Sequence, residues 1–253
     1  MNVYWLVQSK EDVPEQNEWL SSSELSFLRT LRFDQRRASW RLGRWTAKCA
    51  VGLYASLPYA PQTLATVEIR PVSSGAPQVF VENKPAAITI SLSHRCDQAF
   101  CAITPPNVEL GCDLEAIEPH SGAFLADYFT VEEQAMVMQQ RVAERALFVA
   151  LLWSGKESAL KGLHEGLRLD TRSVIVEIRN FSADRSSWNP LEVRYKAGHL
   201  FHGWWQIANG MVQTVVAAPR PALPVALPAP DHVLYGSALV GGKMRKAVFA
   251  TGL

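Results

Sequence analysis

The sequence predicts an α+β protein built as a pseudo-dimer of two similar lobes, each a small, mostly antiparallel sheet packed with one long helix. Three observations carry that expectation. Two helix-like stretches, Asp34–Tyr54 and Ala146–Gly162, each stand among runs of strand-like sequence instead of alternating with single strands. Pro105-Pro106-Asn107 breaks the pattern near the middle and is the expected hinge. The chain of 253 residues is long enough for one large domain or for two of about 110 residues, and the two-lobed division is taken here. The expected boundaries are 1–106 for the first lobe, 107–218 for the second and 219–253 for a Pro/Ala-rich linker and tail.

The elements follow in order. Val3–Val7 is a short apolar run closed by polar residues and Pro14, an opening strand. Ser22 or Ser23 caps a helix beginning near Glu24. Along Asp34–Tyr54, Ala38, Leu42, Trp45 and Cys49 form an apolar stripe at helical spacing, and Arg37, Arg41, Arg44 and Lys48 repeat it one residue earlier. No acidic residue lies between Gln35 and Thr66, so this basic stripe lacks the i,i+4 partners usual on a solvated face. Ala65–Arg70 alternates as a strand, and Ser73-Ser74-Gly75-Ala76-Pro77 is a turn by composition. Strands follow at Ala87–His94, Gln98–Thr104 and Val108–Glu115. Thr130 and Glu133 have capping-box spacing at the start of a helix. Four more strands are expected at Ser173–Arg179, Leu191–Tyr195, His199–Ile207 and Met211–Ala218, after which prolines dominate.

Composition narrows the function. Lys plus Arg number 25 against 24 Asp plus Glu, so no global field draws the protein to nucleic acid or to an anionic membrane. The four cysteines form no Cys-x-x-Cys pair, and three lie in apolar runs, as reduced core residues would. No leader-like N-terminus and no apolar run near the ~20 residues that span a bilayer is visible, from which a cytoplasmic location is expected.

The chemistry is concentrated in Ala146–Gly162. Its first eight residues are apolar on all sides, a buried segment, yet Lys156, Glu157 and Lys161 follow with no turn between. Helical periodicity places Trp153, Glu157 and Lys161 on one stripe and Lys156 beside it. The plainest account is an intrahelical Glu157–Lys161 pair worth about 0.2–0.5 kcal/mol at a surface. Asp113 and Glu115 argue for more: two apart on a strand they face the same way, with Gly111 permitting close approach. Like charges side by side need a cation, and with Glu157 they form a hard-oxygen set suited to Mg²⁺.

Leu110-Gly-Cys-Asp-Leu-Glu115 and Trp153-Ser-Gly-Lys-Glu-Ser-Ala-Leu-Lys161 together resemble the two signatures of the 4'-phosphopantetheinyl transferases of the Sfp type, in the family's order and at about its interval. The resemblance spans roughly Arg32–Ala218 and fits the longer, monomeric, two-lobed branch. It implies the corresponding fold and transfer of the 4'-phosphopantetheine arm of coenzyme A to a serine of an apo acyl or peptidyl carrier protein, with release of 3',5'-ADP. It also implies a metal set of Asp113, Glu115 and Glu157 holding Mg²⁺, with Mn²⁺ as the alternative ion. Lys161 and either Glu133 or a water are the catalytic groups on this resemblance, and Lys156 pairs with phosphate. Arg41 and Arg44, with Arg37 and Lys48 as weaker candidates, hold coenzyme A phosphates. Ser93, His94 and Arg95 resemble a Ser-His-Ser hairpin at the 3'-phosphate, Arg95 standing in for the second serine. Gly75 and Pro77 flank Ala76 where the family has lysine, leaving backbone contacts to the adenine side. Carrier contact is expected from apolar residues near Phe124–Met138. The client pathway (fatty-acid, polyketide or non-ribosomal peptide) is left open. Two rivals remain at this stage: a non-catalytic carrier- or nucleotide-binding module on the same fold, and a Mg²⁺-dependent phosphodiester hydrolase.

Overall fold

Alternation along β1 (Tyr4–Ser9) sorts its side chains between two cores: Leu6 turns to one face of its sheet, Trp5 and Val7 to the other. In the computed structural model of the chain, residues 1–165, 168–178, 181 and 184–228 are described. After β1 come α1 (Ser22–Thr30), α2 (Asp34–Tyr54), α3 (Pro61–Ala65), β2 (Val67–Pro71), β3 (Pro77–Val81), β4 (Lys84–Pro85), β5 (Thr89–Arg95), β6 (Gln98–Thr104) and β7 (Glu109–Ala116). Then follow α4 (Gly122–Tyr128), α5 (Val131–Gln139), α6 (Val142–Gly162), β8 (Val174–Ile178), β9 (Asn189–Tyr195), β10 (His199–Ala208), β11 (Met211–Ala218) and β12 (Val225–Ala226).

The class is α+β, as expected. One sheet has the order β12-β1-β6-β5, a second the order β7-β11-β10-β9-β8, and β2-β3-β4 form a small third. All pairings are antiparallel except β12 with β1. Three apolar layers hold them. Helix α2 covers one face of the first sheet through Trp45, Cys49, Leu6, Cys101 and Ile103. Helix α6 covers the second through Leu151, Leu152, Ala159, Val193 and Val212. Between the sheets lies a third layer of Val3, Phe100, Ala102, Leu110, Cys112 and Val215. The order across the molecule is thus helix, sheet, sheet, helix, with β5 and β7 in contact where the sheets meet.

Helix α2 has the expected bounds, whereas α6 begins at Val142, four residues before the apolar run that pointed to it. The first helix is capped by Ser21, not by Ser22 or Ser23: the Ser21 hydroxyl accepts from the Glu24 N–H and Glu24 returns a bond to the Ser21 N–H. The stretch read as the start of a linker runs back along the first sheet, where Val225 N–H donates to Val3 and Leu227 N–H to Trp5. The end of the expected Ser173–Arg179 strand, residues 166–167 and the tail from 229 lie outside the described residues. Cys49, Cys101 and Cys112 are buried, Cys96 is exposed, and all four are free.

Candidate active site

Contact between α6 and β7 sets the site. Gly111 on β7 lies so close to the helix that a Cβ there would fall 1.7 Å from the carbonyl oxygen of Ser158. No other residue type fits without moving the backbone. A turn later, Gly162 offers the same tolerance to Phe201, whose ring would stand 2.9 Å from an added Cβ. This approach carries Lys161 over the edge of β7, where its ammonium donates to Asp113 Oδ1 at 2.7 Å and to the Cys112 carbonyl at 3.1 Å. Against the pull of burial, Asp113 holds Lys161 above the ordinary lysine value.

Asp113 is 3% exposed and also receives a bond from the Ser93 hydroxyl at 2.8 Å, so β5 of the first sheet reaches the second at this carboxylate. Its other oxygen, Oδ2, is buried and has no hydrogen-bond partner. Burial and the Asp113 charge push Glu115 up to about 7, with Glu157 adding to the rise, and burial and Asp113 likewise raise Glu157. Three clustered carboxylates, one with an orphaned buried oxygen, offer the donor chemistry that a hard divalent cation takes. They do not close into a ring: among the described residues no group of three or more His, Cys, Asp or Glu is arranged to hold a metal ion. Asp113 is instead turned to Lys161 and Ser93, and Glu115 has Arg95 at 3.7 Å.

A cleft of about 430 Å³ opens beside Lys161. Arg44, the turn Ser74–Pro77, the β5 residues Ile90–Leu92, Leu110 of β7 and His164, Glu165 and Arg168 after α6 line it with Lys161. Gly75 takes φ +90°, the left-handed region that favours glycine, and closes the turn through Val72. The lining thus carries the cations Arg44, Lys161 and Arg168 against one carboxylate, Glu165.

The basic stripe of α2 sinks into the protein along its length. Arg37 is exposed; Arg41 donates to the carbonyls of Pro14 and Glu15 and does not line the cleft. Arg44 reaches the cleft, with its guanidinium over Trp40 and 3.7 Å from Glu24. Lys48, a weaker phosphate candidate on the resemblance, is fully buried and paired with Glu24 at 2.5 Å, because the stripe crosses from surface to core within four turns. Desolvation and the Lys161 ammonium hold His94 below the usual histidine value, while Arg95 pairs with Glu118.

Glu133 and Lys156 are also placed away from the cleft. Glu133 is 1% exposed, caps α5 as the Thr130–Glu133 spacing predicted, and meets Lys156 at 2.8 Å. Lys156 is fully buried and also donates to the carbonyls of Thr171 and Val174. Sequence reasoning missed Glu24, His164 and Arg168. The first was visible as Ser21-x-x-Glu24, the same capping spacing that marked Glu133.

Residues 109–216 match the family model of the 4'-phosphopantetheinyl transferase superfamily. Among solved structures, the holo-[acyl-carrier-protein] synthase of Thermotoga maritima is similar at 22% identity over 51% of this chain and 74% of its own, with a TM-score of 0.32. No curated protein matches the chain. No helix among the described residues is long and apolar enough to cross a membrane.

Proposed function

We propose that the protein is a two-lobed, Sfp-type 4'-phosphopantetheinyl transferase that moves the phosphopantetheine arm of coenzyme A to a serine of an apo carrier protein. The observation that carries this reading is that Lys161, paired with Asp113, lines one cleft together with Arg44. The family match over 109–216 contains both residues of the pair.

The reaction is a phosphoryl transfer, in which placement and charge neutralisation carry most of the catalysis. The serine oxygen gives its proton to a water and forms a bond to the phosphorus next to the pantetheine arm. The bond from that phosphorus to the bridging oxygen breaks, and 3',5'-ADP leaves with the electron pair. Lys161 stands where negative charge grows on the bridging oxygen, and Arg44 with the 74–77 turn holds the nucleotide end. Asp113, Glu115 and Glu157 are the residues that would hold Mg²⁺, which when bound supplies charge neutralisation at the diphosphate. Ser93 orients Asp113 through its hydroxyl.

The test is intact mass of an apo carrier protein after incubation with this protein, coenzyme A and Mg²⁺, with an EDTA control. A gain of about 340 Da that disappears with EDTA is expected. No gain on fatty-acid, polyketide and peptide carriers, alongside measurable coenzyme A binding, refutes transfer and leaves a binding module.

A further inference from the structure

Two buried ion pairs repeat one another across the molecule. In the first half, Glu24 is the third residue of α1, capped by Ser21, and Lys48 is the fifteenth residue of α2. In the second, Glu133 is the third residue of α5, capped by Thr130, and Lys156 is the fifteenth residue of α6. Lys48 Nζ meets Glu24 at 2.5 Å and donates to two carbonyls, those of Trp19 and Leu64. Lys156 Nζ meets Glu133 at 2.8 Å and donates to two carbonyls, those of Thr171 and Val174. Each ammonium lies over an aromatic ring, Trp19 at 5.7 Å and Phe129 at 5.5 Å. Each glutamate's second oxygen accepts from a strand N–H, Ile69 on β2 at 3.5 Å and Val176 on β8 at 3.4 Å.

The geometry points to a duplicated anchor, and we infer that Glu133 is a positioning residue of the transferase proposed above, not the acceptor of the serine proton. An acceptor must lie within hydrogen-bond reach of the hydroxyl it serves, directly or through one water. Glu133 is buried, and its oxygens are committed to Lys156, to the Thr130 N–H and to Val176. Its counterpart Glu24 does the same work in the half without the carboxylates, so the arrangement needs no catalytic explanation. What each anchor fixes differs. Lys156 ties α6 to β8 one residue before Glu157 and five before Lys161, whereas Glu24 stands 3.7 Å from Arg44 and steadies it at the cleft.

Full-length Glu133→Gln, Glu24→Gln and the double variant Glu133→Gln/Lys156→Met separate the roles. Leaving one buried lysine unpaired lowers Tm in both single variants by on the order of 10 °C. Removing the whole pair restores most of that loss in the double variant. As a positioning residue, Glu133→Gln raises the half-saturating Mg²⁺ concentration several-fold with the KM for coenzyme A within about twofold, and the double variant recovers transfer together with Tm. Glu24→Gln does the converse, raising that KM and sparing the Mg²⁺ requirement. A double variant that regains Tm yet transfers at least 100-fold more slowly than the parent makes Glu133 a reacting group and overturns the inference. Single variants with the parent's Tm overturn the anchor itself. If the parent transfers nothing, the function proposed above fails, and the three melting temperatures still decide whether the anchors are equivalent.

Discussion

Replacing Gly111 with alanine tests whether the helix-to-strand approach makes the site. The added Cβ would lie 1.7 Å from the Ser158 carbonyl oxygen, 2.6 Å from its carbon and 3.0 Å from the Gly162 nitrogen. All three are backbone atoms of α6, so no rotamer change relieves the clash and the helix must move. Overpacking a core costs about 1–3 kcal/mol, and a backbone clash belongs at or above the top of that range. At about 2–4 °C per kcal/mol for a protein of this size, Tm falls by at least about 6 °C. The same movement separates Lys161 from Asp113, now 2.7 Å apart, and a misplacement of about 1 Å in a catalytic constellation costs on the order of 100-fold in rate. Thermal unfolding by circular dichroism and carrier modification by intact mass measure both effects on one preparation. Gly43→Ala on α2 is the control, because nothing lies within 4 Å of its added Cβ; helix propensity alone raises stability there by ~1 kcal/mol. Parent-like Tm and transfer rate in Gly111→Ala would falsify the account of the site.

Two further expectations follow from burial and contact. Arg44→Ala weakens coenzyme A binding on the order of 10-fold by calorimetry, the scale of one lost charge-assisted hydrogen bond. Arg41→Ala leaves affinity within about twofold but lowers Tm, because its contacts are the Pro14 and Glu15 carbonyls; equal loss of affinity in both refutes this division of the basic stripe. Of the four thiols, only Cys96 is exposed, while burial pushes Cys49 up to about 12 and Cys112 to about 11. A thiol reagent at neutral pH should therefore titrate one cysteine quickly in the native protein and four after unfolding. A second fast thiol would contradict the described cores.

The sequence carried the long helices and the strands because their patterns are local. Helix α2 shows an apolar and a basic stripe within one element, and the match of bounds at Asp34 and Tyr54 reflects that. Asp113 and Lys161 were legible from residue type and periodicity, although 48 positions apart, and they meet at 2.7 Å. What periodicity cannot reveal is depth. Arg37, Arg41, Arg44 and Lys48 share a stripe, yet the first is in solvent and the last in the core, since α2 slopes into the first sheet. Glu133, carried over from the resemblance as a candidate base beside its capping role, and Lys156, carried over as a phosphate partner, show the same limit: charge near a signature is visible in sequence, whereas a buried partner drawn from another element is not. The return of residues 225–227 to β1 was hidden by prolines that read as linker, because the strand they form is only two residues long.

That short parallel strand changes what a cut in the backbone would do. The chain passes between the two sheets once after Thr104 and again after Ala218. Severing the first crossing would leave a leading fragment whose β1 has lost its neighbour β12 to the trailing fragment. The trailing piece would then hold one strand of the leading piece's sheet, and the apolar layer would be split, Val3 and Phe100 on one piece and Leu110 and Val215 on the other. The two halves, repeated in plan, are thus matched as the parts of a split reporter are: suited to reassociate, and poorly suited to live apart.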